Sequence, residues 1–169
     1  MKNQTKNKVM GCVDLMHSVY FAPDEIRTCC KRFFVNGEMK GDVILQKITP
    51  NDPPKIESIV SNKKRLIEDI NAGKETPCTG CPWLVETEYE NQDELKIKHL
   101  SFEYHSICNL KCSYCSDIYY GGKKPTYNIM DLYNEFKSKG VLSECNSVVW
   151  GGGEPTADKL FTKLLNKVT

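Results

Sequence analysis

The sequence predicts an α/β protein: a small α+β, cysteine-rich module followed by the start of a parallel sheet. Three observations lead there. From Lys98 onward, apolar segments come in the order strand, helix, strand, helix, which is how a parallel sheet with crossover helices begins. Up to about residue 95 the texture differs, with short extended runs, turns and one amphipathic helix. Nine of the 169 residues are cysteine, most of them in tight groups. The expected division is 1–95 and 96–169.

Taken in order, Leu15 to Ala22 reads as a strand, Pro23-Asp24-Glu25 as a turn and Ile26 to Cys30 as the returning strand. Asn36-Gly37 marks another turn and Asp42 to Ile48 a third short strand. Thr49 to Lys55 holds three prolines and reads as a connector. Ile56, Ile59, Val60, Ile67 and Ile70 then recur at helical spacing, with Gly73 as the C-terminal cap. Pro77 to Pro82 is a tight knuckle, and Tyr89 to Glu94 a polar linker. Leu100, Phe102 and Tyr104 alternate with polar residues, which predicts a strand running straight into Cys108. Tyr119 to Thr126 is a Gly/Lys/Pro loop. Asn128 is placed to cap a helix that ends at Gly140. Ser147 to Trp150 is a short strand, and Thr156 or Asp158 is expected to open a last helix.

Composition removes several function classes. Lys+Arg is 23 against 22 Asp+Glu, a net charge of +1, so no nucleic-acid or acidic partner is implied. No apolar run approaches the ~20 residues of a membrane span. The start, Met1 to Lys8, is polar and basic with no apolar segment behind it. Val9-Met10-Gly11-Cys12 therefore does not qualify as a lipoprotein cleavage site. An odd cysteine count without an export signal argues against a disulfide-stapled secreted domain. The expected location is a reducing cytoplasm, where clustered cysteines usually bind metal.

The strongest motif is Cys108-Asn109-Leu110-Lys111-Cys112-Ser113-Tyr114-Cys115, spaced C-x3-C-x2-C directly after a strand. Thiolates are the usual ligands of iron–sulfur clusters, and four close a [4Fe–4S] cube. Three leave one iron open, by analogy with catalytic zinc sites that keep a free position. The second motif is Gly151-Gly152-Gly153-Glu154-Pro155 after the next strand. Its glycines let backbone approach a ligand, and Glu154 offers a carboxylate to a ligand ammonium. Two loops at the carboxyl ends of neighbouring parallel strands converge on one pocket. The competing readings are a structural zinc site, with His105 or Cys145 as fourth ligand, and an ordinary strand-to-helix turn at the glycines.

This pair of motifs resembles the radical S-adenosylmethionine (radical SAM) superfamily, whose pattern is C-x3-C-x-aromatic-C followed by a GGE-type motif on the second strand. Tyr114 fills the aromatic place. The resemblance covers Lys98 to Thr169. It implies a partial TIM-type barrel, of which this chain holds the first two β/α units. It implies that Cys108, Cys112 and Cys115 bind a [4Fe–4S] cluster. S-adenosylmethionine would chelate the fourth iron, with Tyr114 near the adenine and Gly151, Gly152, Gly153 and Glu154 holding the methionyl ammonium. The implied activity is reductive cleavage of S-adenosylmethionine to a 5′-deoxyadenosyl radical that abstracts hydrogen from a peptide or small-molecule substrate. The implied partner is a flavodoxin- or ferredoxin-like reductant. The alternative function is a non-catalytic iron–sulfur or zinc binding module. Six β/α units would need about 190 residues at the eight-unit barrel's scale. The 72 residues from Lys98 hold two, so a fragment, or completion by a second polypeptide, is expected.

The earlier cysteines, Cys12, Cys29, Cys30, Cys78 and Cys81, are similar in arrangement to part of the SPASM domain, an auxiliary-cluster module. The matching run is Cys12, the hairpin to Cys29-Cys30, Gly41-Asp42, the basic helix and Cys78-x2-Cys81. It departs in three ways: the module precedes the core, Asp24 stands where a glycine is usual, and the further cysteines after Cys81 are absent. The resemblance implies one auxiliary [4Fe–4S] cluster on Cys12, Cys29 or Cys30, Cys78 and Cys81. Zinc on the same four, or reduced cysteines packed as small apolar groups, are the rivals. His17, His99 and His105 read as satisfied structural histidines and Cys145 as a small buried residue. Trp83 and Trp150 read as packing residues. Lys63-Lys64-Arg65 reads as a solvated helix face, and Lys123 and Lys124 as solvated loop residues.

Overall fold

The computed structural model describes residues 7–89, 95–115 and 122–168. The chain is mixed α/β. β1 (Asn7–Gly11) leads into α1 (Val13–His17), β2 (Ser18–Phe21), β3 (Glu25–Val35), β4 (Glu38–Lys47) and α2 (Ile56–Asn71). There follow β5 (Val85–Tyr89), β6 (His99–Phe102), α3 (Ile129–Ser138), β7 (Ser147–Trp150), a 3-10 turn at Pro155–Ala157 and α4 (Phe161–Val168). β1 and β5 form a two-stranded antiparallel ribbon. The other strands form one five-stranded sheet in the order β4-β3-β2-β6-β7.

That sheet joins both halves of the sequence. β2, β3 and β4 form an antiparallel meander, while β2 pairs in parallel with β6 and β6 with β7. The parallel β6–α3–β7 unit is the one the sequence predicts. The parallel partner of β6 on its other side, β2, comes from before residue 95.

The register decides the faces. Val19, Leu100 and Val148 lie side by side, as do Phe21, Phe102 and Trp150, and alternation puts the residues between them on the opposite face. The first set packs with Ile59 of α2, with Ile129, Leu132, Tyr133 and Phe136 of α3 and with Leu164 of α4 in one apolar core. The opposite face bears Tyr20, His99, Ser101 and Ser147. There Tyr20 lies against His99 (5.5 Å), and His99 Nδ1 is 2.9 Å from Ser147 Oγ. His99 is thus a satisfied structural histidine.

Local signals explain most boundaries. Asn128 caps α3 by accepting from Met130 N (3.0 Å) and Asp131 N (3.4 Å), an arrangement worth about 1 kcal/mol. Gly140, at φ 70°, takes the chain out of that helix. Several expectations need correcting. The start of the Leu15–Ala22 run is helical, because Cys12 caps α1 through a bond from Leu15 N (3.4 Å) and Asp14 sits in its first turn. β3 continues past Cys30 to Val35 and β4 begins at Glu38, so the Asn36-Gly37 turn closes a longer hairpin. Tyr89 ends β5 rather than opening a linker, and the rest of that linker lies outside the described residues, as do Tyr119 to Gly121 of the Gly/Lys/Pro loop. The last helix opens at Phe161; Pro155–Ala157 forms a separate 3-10 turn, and Asp158 accepts from Phe161 N (3.1 Å). Among the described residues no helix is long and apolar enough to cross a membrane.

Lys63 departs furthest from its reading as part of a solvated face. It stands between Ile59 and Ile67 at successive four-residue steps on the inward stripe of α2 and is 5% exposed.

The junction of α3 with the sheet carries the first prediction. Phe136 is fully buried, with its ring edge-on to Phe21 at 5.4 Å. Phe136→Ala should cost about 3–5 kcal/mol. Urea unfolding followed by circular dichroism should show the midpoint falling with an unchanged slope.

Candidate functional site

Three parallel strands deliver their carboxyl ends to one region. After β6 the chain runs extended from Glu103 to Ile107 before reaching Cys108, and neighbours on both sides hold that stretch. Glu103 N donates to Phe21 O (2.9 Å), at the end of β2. Ser106 and Lys123 exchange two bonds, Ser106 N to Lys123 O (2.9 Å) and Lys123 N to Ser106 Oγ (2.8 Å). Thr126 N in turn reaches Pro23 O (2.9 Å), fastening this loop to the turn after β2. Tyr104 is buried and its hydroxyl donates to the Asp158 carboxylate.

The glycine loop lies directly on this stretch. Gly151 N donates to Phe102 O (3.0 Å) and Glu154 N to Ile107 O (2.9 Å), next to Cys108. A Cβ on Gly152, where φ is +89°, would lie 2.6 Å from His105 O, and one on Gly153 would lie 2.3 Å from Ile107 O. Only residues without a side chain fit so close to another backbone. The two motifs therefore converge, as neighbouring strand exits should.

The sulfur geometry is less complete. All nine cysteines are free thiols, with Cys108, Cys112 and Cys115 half-buried. Leu110 N donates to Cys108 Sγ (3.4 Å), and Cys115 N to Cys112 O (3.1 Å) closes a turn. Among the described residues, however, no three Cys, His, Asp or Glu side chains stand close enough together to hold a metal ion. Tyr114 is 89% exposed, and its hydrogen bond to Cys112 pushes its phenol upward. Glu154 Oε1 accepts from Thr156 N (3.2 Å) and Thr156 Oγ1 (2.6 Å). These bonds hold its carboxyl below the usual range and make Glu154 the cap of the 3-10 turn. The donor types suit an iron–sulfur cluster, and the glycine cradle suits a ligand lying against backbone.

The earlier cysteines form a second group. Cys12 caps α1, while Cys29 Sγ accepts from Lys31 N (3.3 Å) and lies 4.0 Å from Asp14 Oδ2. Burial pushes the Cys29 thiol up to about 11. Burial first, then the charges of Cys81, Cys12 and Cys29, push Cys78 up to about 12. Cys12, Cys29, Cys78 and Cys81 are therefore electrostatic neighbours. Cys30 faces elsewhere: it shares a hydrogen bond with Tyr20 and feels Glu103. The bulges in the β3–β4 register between Ile26 and Arg32 accompany this divergence.

Lys63 is the functional candidate that sequence reasoning missed. Its ammonium donates to Leu15 O (2.9 Å), Ser18 O (2.8 Å) and Thr28 Oγ1 (2.6 Å). Burial lowers its pKa to about 7, against the raising effect of Cys12, Asp14 and Cys29. The available signal was its place at the centre of the isoleucine stripe. Trp83 and Trp150 both pack against rings, at Phe33 and Phe102 respectively, and Cys145 lies partly buried against the core. No family model, curated protein or solved structure matches the chain.

Two predictions follow from this geometry. A Cβ on Gly151 meets only the Glu103 side chain, at 3.4 Å, so Gly151→Ala should melt with the parent. Gly153→Ala forces backbone apart and should lose about 1–3 kcal/mol; thermal unfolding of the pair tests this. Desolvation holds His17 and His105 below their ordinary value, so near pH 6.5 the unfolded chain takes up protons more readily than the folded one. Metal-free protein should keep this stability above pH 6.5 and lose it as the pH falls through the folded values. His105→Gln should flatten the dependence of the urea midpoint between pH 7.5 and 5.

Proposed function

We propose that the chain is a radical SAM iron–sulfur enzyme or a part of one, its β6–α3–β7 unit belonging to a partial TIM-type barrel. The observation that carries the reading is the docking of the glycine loop on the backbone immediately before Cys108, through Glu154 N to Ile107 O (2.9 Å). Cys108, Cys112 and Cys115 would hold the [4Fe–4S] cluster. The Gly151–Gly153 backbone and Glu154 would hold the methionyl end of S-adenosylmethionine, and Tyr114 would lie beside the adenine. When bound, this pair supplies one-electron cleavage of a sulfonium to a 5′-deoxyadenosyl radical, a chemistry that belongs to the cofactor. The chain's own part is to fix the distance between the two loops. Gly152 and Gly153 bring the loops into backbone contact, while the Tyr104–Asp158 hydrogen bond ties the segment after β6 to the segment after the 3-10 turn. Glu154, capped on Thr156, stays ionised for an ammonium. A flavodoxin- or ferredoxin-like reductant and a peptide or small-molecule substrate in the cytoplasm complete the proposal.

The exposure of Tyr114 and the engagement of the Glu154 carboxylate by Thr156 favour one second reading, a non-catalytic iron–sulfur or zinc module on the same cysteines. A single assay divides the two. Chain reconstituted anaerobically with iron and sulfide, then reduced with dithionite, should release 5′-deoxyadenosine from S-adenosylmethionine. Cys112→Ala should lower that release to background. A cluster-loaded parent chain that releases none would establish the second reading.

A further inference from the structure

Lys63 carries an amino group into the interior, where the groups it touches offer its protonated form no countercharge. Its three acceptors, Leu15 O, Ser18 O and Thr28 Oγ1, are neutral. The Asp14 carboxylate close by is engaged by Lys31 (2.7 Å) and the Ser18 hydroxyl (3.0 Å). Dipoles alone are poor compensation for a buried ammonium.

Thiols surround the same place. Cys12 Sγ accepts from the N–H of Leu15, whose carbonyl Lys63 takes. Cys29 Sγ lies 4.0 Å from the Asp14 carboxylate, which also takes the hydroxyl of Ser18, the residue whose carbonyl Lys63 takes. The Cys78–Cys81 turn, closed by Cys81 N to Cys78 O (3.0 Å), docks on the Cys29 side of β3. A Cβ on Gly80 would lie 2.7 Å from the Val35 side chain, and Trp83 meets Phe33 edge-on (6.4 Å) with the Lys31 ammonium over its ring (5.2 Å). Across the bulge between Cys29 and Arg32, Cys29 Sγ and Lys31 Nζ still meet the same Asp14 carboxylate, at 4.0 and 2.7 Å, whereas Cys30 turns to Tyr20.

We infer that Cys12, Cys29, Cys78 and Cys81 take up a metal centre as thiolates, and that Lys63 is its buried counter-charge. The ligand set comes to this chain from the reading of its early cysteines as metal ligands. The choice of Cys29 over Cys30 and the role of Lys63 come from the geometry. A tetrathiolate zinc ion and a tetrathiolate [4Fe–4S] cluster are both net dianions, so one cation serves either. Backbone N–H groups already point at Cys12 and Cys29, and the four sulfurs must approach one another to share one metal.

The test uses the full chain with Cys108→Ala, Cys112→Ala and Cys115→Ala, so that bound metal reports this site alone and the radical SAM reading is left to its own assay. The chain is prepared anaerobically and offered Zn²⁺ in one arm and Fe²⁺ with sulfide in the other. About one zinc, or about four irons with four sulfides, should bind per chain. Cys29→Ala should weaken binding at least about tenfold, and Cys30→Ala should not. Lys63→Met and Lys63→Gln should each weaken it about 10–100-fold, a loss typical of groups just outside the ligands, and the metal-free variants should melt no lower than their parent. Lys63→Gln keeps a donor for the two carbonyls and so separates charge from packing. Failure of both arms to load overturns the site, equal loss in the Cys30 variant overturns the ligand set, and parental affinity in Lys63→Gln overturns the counter-charge.

Discussion

The site depends on a row of three rings. Phe21, Phe102 and Trp150 are the last residues of β2, β6 and β7, and the register sets them side by side. Phe102 stacks on Trp150 at 4.6 Å and lies 5.6 Å from Phe21. Because each ring ends its strand, burying the row against α3 also levels the three strand ends. The Cys108 segment and the glycine loop therefore leave the sheet at one height, close enough for backbone to meet backbone. A slip of one residue in either parallel pair would turn a ring to the polar face and part the loops. The packing of apolar groups on one side of the sheet thus determines where polar chemistry is possible at its end.

Legibility in the sequence followed the range of the interactions involved. α3 was visible because its cap, its apolar stripe and its terminating glycine are all local, and β7 because it is a short apolar run between polar turns. The two motifs were visible as spacing, and the structure adds the backbone contact between them. The pairing of β2 with β6 was not visible, since nothing in Ser18–Phe21 names a partner so distant in the chain. α1 was hidden because a cysteine serves as its cap, which propensity alone would not choose. The sequence could not separate Cys29 from Cys30, because which side each takes depends on bulges in the hairpin.

Lys63 shows how a charge can be misread. Three basic residues in a row suggest a wet surface, and for a helix the row itself carries little information, because its members point in different directions. The spacing to Ile59 and Ile67 was the better guide. An ammonium at the centre of an apolar stripe either finds acceptors or destabilises the fold, and here α1, β2 and β3 each supply one.

The parallel pairing of β2 with β6 also bears on the order of assembly. Ser18 and His99 are joined across about 80 residues, whereas β2, β3 and β4 are consecutive and antiparallel. Closing a long loop costs entropy before any contact repays it, and non-local parallel pairing is slow. The meander is therefore expected to form first, and the strands bearing the Cys108 segment and the glycine loop to join it last. Nascent chain would hold Cys12 and Cys29 in place while Cys108, Cys112 and Cys115 were still in open solvent. Pulsed amide exchange during refolding reads that order, and simultaneous protection of β3 and β7 would contradict it.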